Sequence, residues 1–149
     1  MVILLKRELN DFKDFEPVEF FNLANELEEI KKDLKSMESA VNRNIYSRIY
    51  YSIFLFLREW LKMHTDYNSW PKGEHSRMAN YIRYKGPFDN ENNNLIYRKL
   101  IILKKLRHQA DYKLKIPIKS SQNYHRWDFT TIGSAFEIAE NIFRIFREF

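Results

Sequence analysis

The chain has no cysteine and only three glycines and four prolines in 149 residues. The lack of cysteine excludes disulfide bonds, thiolate metal sites and cysteine nucleophiles. The shortage of glycine and proline, beside abundant Leu, Ile, Lys, Glu and Arg, favours helices over a turn-rich β-fold. We therefore expect an all-α protein with one domain over residues 1–149, because this length suits a single well-packed core.

Long apolar runs are also missing. The opening MVILLKREL is a short apolar stretch followed by charges, and no run approaches the roughly 18 apolar residues of a membrane span. We expect a cytoplasmic protein with no membrane partner. The four histidines are scattered without the i, i+4 spacing of a zinc helix, and the sequence has no glycine-rich phosphate loop. We expect neither a metal nor a cofactor.

The net charge of +5 hides an uneven distribution along the chain. Residues 1–40 hold 6 Lys and Arg against 10 Asp and Glu, whereas residues 41–127 hold 17 against 6, a local net charge of +11. Clustered cations gain affinity for polyanions by releasing counterions from phosphates. The distribution therefore favours an RNA or nucleotide partner, although an ordinary basic surface explains it equally well.

Apolar periodicity predicts five helices, near residues 17–37, 39–63, 75–84, 92–114 and 130–147. In the first, the predicted core stripe runs from Phe20 to Met37. Asp89 and the asparagines after it suit the N-terminal cap of the fourth helix. The second helix is apolar around most of its circumference, so we expect it to be the central helix of the bundle. One side mixes polar and apolar residues, and we expect that mixed side to face a groove. The core stripe comprises Ile45, Ile49, Ile53, Phe56, Leu57 and Trp60, and the mixed side comprises Ser47, Tyr51, Leu55 and Arg58.

The segment 95–114 divides into two faces at helical spacing. Six apolar residues form the face expected to pack inward: Leu95, Ile96, Ile102, Leu103, Leu106 and Ala110. The opposite face carries Arg98, Lys104, Lys105, Arg107, His108, Asp111 and Tyr112. Leu100 and Ile101 lie among these polar residues, although a helix face that is fully exposed to solvent would normally be polar throughout. A second chain that covers them, making a dimer interface, fits this pattern best. The alternative is a helix buried between two neighbours of one chain.

Three sequence pieces occur in a characteristic order: SRIYYSIF at residues 47–54, HSR at 75–77 before a short helix, and RHQADY at 107–112. Together they resemble the HEPN domain, in particular its small stand-alone branch that is often partnered with minimal nucleotidyltransferases. The resemblance spans roughly residues 15–147. It implies an antiparallel up-and-down bundle of four to five helices that forms a homodimer through a face including the second and fourth helices.

The resemblance also implies a role with RNA or nucleotides in a toxin–antitoxin or defence module. Many HEPN relatives are metal-independent RNases with an R-x4–6-H motif, in which His carries a proton and Arg stabilises developing phosphate charge. Here the positions that follow Arg107 at this spacing are Tyr112, Lys113 and Leu114. None of the motif positions after Arg107 is therefore occupied by histidine.

The candidate catalytic residues are Arg107, His108, Asp111 and Tyr112, and the candidate ligand-binding residues are Ser47, Tyr51, Arg58 and Lys104. Arg107 and Asp111 are four residues apart, which predicts an intrahelical salt bridge. In the functional interpretation, that bridge orients Arg107 toward a phosphate. His108 is either a proton carrier or an exposed histidine. For His75, at the predicted start of a helix, we expect a cap or a hydrogen bond across the bundle rather than catalysis.

The segment 113–127 mixes Lys113, Lys115, Lys119 and Arg126 with Tyr124, His125 and Trp127. This composition is typical of surfaces that bind single-stranded nucleic acid, and equally of a loop whose aromatic residues pack onto the bundle. Two functions remain open. The first is an RNA- or nucleotide-associated component of a toxin–antitoxin or defence module, either with or without metal-independent RNase activity. The second is a non-catalytic helical module that binds a partner protein or nucleotide.

Overall fold

The computed structural model describes residues 17–69, 72–112 and 132–148. These residues form five α-helices and no β-strand, which confirms the all-α fold class. The helices are α1 Pro17–Ile30, α2 Glu38–His64, α3 Glu74–Lys85, α4 Asn90–Tyr112 and α5 Ile132–Glu148. No helix in the described segments combines the length and the apolar character needed to cross a membrane.

Helix α2 is the centre of the core, as predicted from its nearly continuous apolar surface. It packs against α1, α4 and α5, while α3 packs mainly against α4. Five residues of its predicted core stripe are confirmed, because Ile45, Ile49, Ile53 and Leu57 are fully buried and Phe56 nearly so. The sixth, Trp60, is half-buried and packs against the core. Full burial of one such side chain contributes roughly 1.5–3 kcal/mol. The buried stripe fixes which side of α2 remains for other contacts.

The first helix is shorter than predicted. It ends at Ile30, and residues 31–37 form two 3-10 turns around Leu34, whose φ of −113° and ψ of 38° are not helical. The predicted stripe is correct only in part. Ala24 is buried as predicted, but Ile30 is 46% exposed, and Val18 and Phe21, which lie outside the stripe, are buried. Residues 28–33 are rich in charge, so few buried apolar contacts hold the helix beyond Ile30.

Helix α4 begins at the predicted cap. The Asn92 backbone N–H donates to Asp89 Oδ1 at 2.8 Å, which is the N-cap geometry. The prediction that a second chain covers Leu100 was wrong, because Leu100 is 1% exposed within this single chain. Helix α4 lies between α2, α3 and α5 and therefore buries a wider arc than one stripe. Ile101 is only half-buried.

A close approach at Gly86 joins α3 to α4. The Asn93 side chain donates to the carbonyls of Gly86 and Phe88 at 3.1 and 2.9 Å, and accepts from the Phe88 N–H at 3.2 Å. A Cβ atom at position 86 would lie 2.2 Å from Asn93 Oδ1 and 2.3 Å from the Ile82 carbonyl oxygen. Glycine is therefore required at this turn, which sets the position of α3 against α4.

We predict that Gly86→Ala lowers the free energy of unfolding by roughly 1–3 kcal/mol, the usual cost of forcing extra atoms into a packed site. Urea denaturation followed by circular dichroism measures this change. The matched control is Gly133→Ala, at an exposed position in the first turn of α5, where alanine should preserve or slightly raise stability. Equal stability of Gly86→Ala and the wild type would refute the steric argument.

Candidate functional site

Helices α2, α3 and α4 meet at a histidine. His75, at the start of α3, lies with Nδ1 2.5 Å from the Tyr50 hydroxyl of α2, and the two share a hydrogen bond. The His75 ring also packs on Phe54, with ring centroids 4.1 Å apart. The predicted hydrogen bond of His75 across the bundle is thus confirmed. Because Tyr50 is fully buried, its hydroxyl fixes the position of the imidazole.

Arg107 reaches the same place from α4. Its Nε donates to Asp111 Oδ2 at 2.8 Å, which confirms the predicted salt bridge. Its guanidinium carbon also lies 5.7, 5.3 and 5.7 Å from the ring centroids of Tyr50, Tyr51 and Tyr112. Only 12% of the side chain is exposed. Asp111 and three tyrosines from two helices therefore hold the guanidinium in a fixed position.

Two further cations border His75. Lys104 on α4 donates to Ser76 Oγ at 2.9 Å, one residue beyond the histidine. Arg58 on α2 donates from Nε to Glu59 Oε1 at 2.8 Å, and its Nη1 lies 3.7 Å from Glu74 Oε2. We refer to Tyr50, Tyr51, Arg58, His75, Lys104 and Arg107 as the His75 cluster.

The electrostatics of the His75 cluster favour an uncharged imidazole. Burial lowers the pKa of His75 from its usual value, and the positive charges of Arg107, Lys104 and Arg58 lower it further. Burial also raises the pKa of the Tyr50 hydroxyl, which stays protonated. At neutral pH the cluster therefore combines a neutral histidine and a neutral phenol with three nearby cations. An imidazole in this state can accept a proton.

A cavity of about 460 Å³ lies beside the His75 cluster, between α1, α2 and the start of α3. We call it the α1–α3 cavity. On α2, its wall is formed by Arg48, Tyr51, Leu55 and Arg58, which recur at three- and four-residue steps along one helical face. Among the described residues, the lining consists of these four together with Phe20, Phe54, Gly73, Glu74 and His75. Tyr51, Arg58 and His75 belong to both the cavity and the cluster.

Six of the eight predicted site residues come together and two lie apart. Tyr51, Arg58, Lys104, Arg107, Asp111 and Tyr112 all belong to or contact the His75 cluster. His108 is exposed, with its ring centroid 5.0 Å from that of Tyr112 on the same helix. Ser47 is half-buried and is not among the residues that line the cavity, whereas its neighbour Arg48 is. The predicted nucleic-acid surface at 113–127 lies outside the described residues.

Sequence reasoning missed several contributors, among them His75 itself, for which it expected a structural role. Tyr50 was assigned neither to the core stripe nor to the site, although YY beside a buried stripe places one hydroxyl inside the bundle. Arg48 falls on the α2 wall at three residues before Tyr51, a spacing that was available in the sequence. Arg43 donates from Nη1 to the carbonyls of Gln109 and Ala110 at 3.3 and 2.8 Å, which ties α2 to the end of α4. No local pattern identifies that contact.

The described segments contain no group of three or more His, Asp or Glu side chains that could hold a metal ion. The groups available for ligand binding are instead guanidinium, ammonium, imidazole and phenol. This set is suited to anions and to aromatic rings.

These features define an all-helical protein with an aromatic, cationic cluster between its second, third and fourth helices. Over 142 residues the chain is 32% identical to the uncharacterized protein MJ0628 of Methanocaldococcus jannaschii, and the match covers 88% of this chain and 82% of the relative. The chain belongs to the same protein family as MJ0628. No protein-family model matches the chain. No significant match to a solved structure was found either.

We predict that Lys104→Ala raises the pKa of His75, because removal of a neighbouring positive charge favours the protonated imidazole. In the unfolded chain His75 has a pKa of about 6.5, and in the folded protein its pKa is lower. The neutral His75 therefore contributes stability above about pH 6.5, and this contribution is lost as the pH falls through the folded pKa. In the Lys104→Ala variant the stability lost on acidification should be smaller. NMR titration of the His75 ring measures the pKa directly.

The matched control is Lys105→Ala, which removes an exposed charge from the adjacent position of α4. The cations that lower the pKa of His75 are Arg107, Lys104 and Arg58, so His75 in the Lys105→Ala variant should titrate nearly as in the wild type. The proposed origin of the lowered pKa would be contradicted by equal His75 titration in the Lys104→Ala variant and the wild type.

Proposed function

We propose that the chain is a HEPN-type protein, an antiparallel up-and-down helical bundle that binds the phosphates of RNA or of a nucleotide at the His75 cluster. The observation that carries the proposal is that three cations from two helices are held around His75. Arg107 packs on Tyr50, the hydrogen-bond partner of His75, while Lys104 donates to Ser76 and Arg58 lies against Glu74. Cations collected around neutral hydrogen-bonding groups suit a ligand that is anionic and rich in oxygen atoms.

The setting of Arg107 supports a role in phosphate binding. A purely intrahelical salt bridge would explain the contact of Arg107 with Asp111 alone. Arg107 is also packed against Tyr50 and Tyr51 of α2. Its position is fixed before a ligand arrives, so little side-chain entropy is lost on binding. Asp111 orients the guanidinium, and Lys104 adds a second cation near the same imidazole.

A second candidate function is metal-independent RNA cleavage at this cluster. The R-x4–6-H motif lacks its histidine on α4, but α3 brings the neutral His75 to the surroundings of Arg107. In such a reaction His75 takes the proton of a ribose 2′-hydroxyl, the 2′-oxygen bonds to the adjacent phosphorus, and the bond to the 5′-oxygen breaks. The departing oxygen takes a proton from water, and Arg107 stabilises the charge on the phosphoryl oxygens.

The biological setting that we propose is a toxin–antitoxin or defence module with a minimal nucleotidyltransferase as partner. The support for it is the resemblance of the α2, α3 and α4 sequence pieces to small stand-alone HEPN proteins. The alternative is a non-catalytic interaction module that binds a partner protein or nucleotide through the same surface, and the missing motif histidine favours it over the RNase.

We also propose that two chains form a homodimer through the exposed side of α4. Ile101 supports this proposal, since it remains half-buried among charged residues while Leu100 is covered within the chain. Ile101→Asp should give monomers in light scattering, because a buried carboxylate in an interface is costly. The matched control is Ile30→Asp, on an exposed position of α1, which should stay dimeric. A folded Ile101→Asp protein that remains dimeric would contradict this interface.

The experiment for RNA binding uses labelled single-stranded RNA in EDTA with the wild type, Arg107→Ala and the control Lys105→Ala, read for binding and cleavage. Arg107→Ala should weaken binding roughly tenfold and reduce the salt slope by about one, since one phosphate contact is lost. Lys105→Ala should change both much less. An unchanged salt slope in Arg107→Ala would contradict the proposed site.

The same assay separates the two functions. Cleavage that is lost in both Arg107→Ala and His75→Gln would support the RNase. Binding without cleavage would support the interaction module. If RNA neither binds nor is cleaved, RNA is excluded as the ligand, and partner proteins become the subject of the next experiment.

A further inference from the structure

The α1–α3 cavity has a shape and a chemistry that the phosphate-binding role of the His75 cluster does not use. Its volume of about 460 Å³ falls within the range of roughly 300–1,000 Å³ that is usual for small-molecule sites. We propose that it binds one nucleotide unit, with an amino-bearing base between its aromatic side chains and the amino group facing Glu74. This inference rests on the proposed function, because it names the part of the ligand that lies beside the cluster.

The aromatic walls supply the surface for a base. Phe20 comes from α1, Tyr51 and Phe54 come from α2, and His75 comes from α3. The His75 ring covers the buried Phe54 ring, with ring centroids 4.1 Å apart. A ligand in the cavity would therefore contact the imidazole before the phenyl group. Flat rings that enter one cavity from three helices are suited to stacking a planar heterocycle, and such stacking tolerates different bases.

Glu74 provides the polar contact at one end. Its Oε2 lies 3.7 Å from Arg58 Nη1, and its Oε1 accepts from the Tyr67 hydroxyl at 3.4 Å. Both contacts are long, and a carboxylate has about four acceptor positions. Glu74 therefore retains the capacity to accept a hydrogen bond from an exocyclic amino group, the contact that carboxylates make with cytosine N4. Arg58 offsets the negative charge that would otherwise repel a nucleotide.

Arg48 provides a cation away from Glu74. It precedes Arg58 by ten residues on α2, so the two are about 15 Å apart along the helix axis. Its guanidinium carbon lies 5.3 Å from the centroid of the Phe20 ring, which places the charge beside the aromatic wall. With Glu74 near one end and the long side chain of Arg48 extending into the cavity from the other, we expect the base amino group to contact Glu74 and the phosphate to contact Arg48.

The test compares cytidine monophosphate, uridine monophosphate and ribose 5-phosphate as ligands of the full chain, by NMR titration or calorimetry. Cytidine monophosphate should bind most tightly. Ribose 5-phosphate should bind roughly tenfold more weakly or worse, because it lacks the stacked base. Uridine monophosphate should be weaker than the cytidine nucleotide, since its O4 atom presents an acceptor to the Glu74 carboxylate.

Two variants check that the cavity is responsible. Phe20→Ala removes an aromatic wall of the cavity at a half-buried position, and should weaken cytidine monophosphate binding roughly tenfold with ribose 5-phosphate unaffected. The control Leu23→Ala changes an exposed residue of the same helix and should bind like the wild type. Equal affinity for all three ligands, or unchanged cytidine monophosphate affinity in Phe20→Ala, would overturn the proposal.

A strand experiment separates this inference from the proposed function and identifies the source of the nucleotide. A short cytidine-containing RNA is compared with the same strand carrying an abasic site, in the wild type, Phe20→Ala and Arg107→Ala. RNA binding that is independent of the base overturns the cavity proposal and leaves phosphate binding intact. Base-dependent RNA binding supports an RNA strand as the source. Selective binding of cytidine monophosphate without RNA binding supports a free nucleotide and overturns RNA as the ligand of the cluster.

Discussion

The hydrogen bond between Tyr50 and His75 is the contact on which the arrangement of the site depends. It joins a fully buried hydroxyl of the central helix to the first turn of α3, at the position where Arg107 arrives from α4. Burial keeps the phenol protonated, and burial together with three cations keeps the imidazole uncharged. A charged His75 would lie among like charges at a half-buried position, so the neutral pair is the favoured form of this junction.

The same junction explains why α3 matters more than its length suggests. Only 12 residues long, α3 packs mainly on α4, and the Gly86–Asn93 contact sets its far end. Its first turn supplies Glu74, His75 and Ser76, which contact Arg58, Tyr50 and Lys104 respectively. The turn at Gly86 therefore determines, through the position of α3, whether the polar groups of three helices meet.

The sequence allowed much of the fold to be predicted, because the signals for it are local. Apolar periodicity gave all five helices, and the buried stripe of α2 followed directly from Ile45, Ile49, Ile53 and Leu57. The end of α1 was missed because apolar periodicity continued past Ile30, where few buried apolar contacts hold the chain in a helix. Leu100 was assigned to an interface because a helical wheel shows which residues share a face, but not how many neighbours surround the helix.

The site could be predicted only in part for the same reason. Arg107, Asp111 and Tyr112 lie on one helical turn, so their proximity follows from spacing alone. The contacts of Arg107 with Tyr50, and of Arg43 with the carbonyls at the end of α4, join residues far apart in sequence. Such contacts depend on how the helices cross. Phe20 of α1 and Glu74 of α3 line the α1–α3 cavity together for the same reason, since their proximity depends on how the helices pack.

The central claim is that the junction of α2, α3 and α4 is where the ligand binds. Its most direct test is NMR mapping of the labelled protein during titration with short unlabelled single-stranded RNA in EDTA. We predict that the largest chemical-shift changes occur at Tyr51, His75 and Arg107, and that the exposed face of α5 around Arg144 is unaffected. Saturable changes confined to α5, with the resonances of His75 and Arg107 unmoved, would contradict the account.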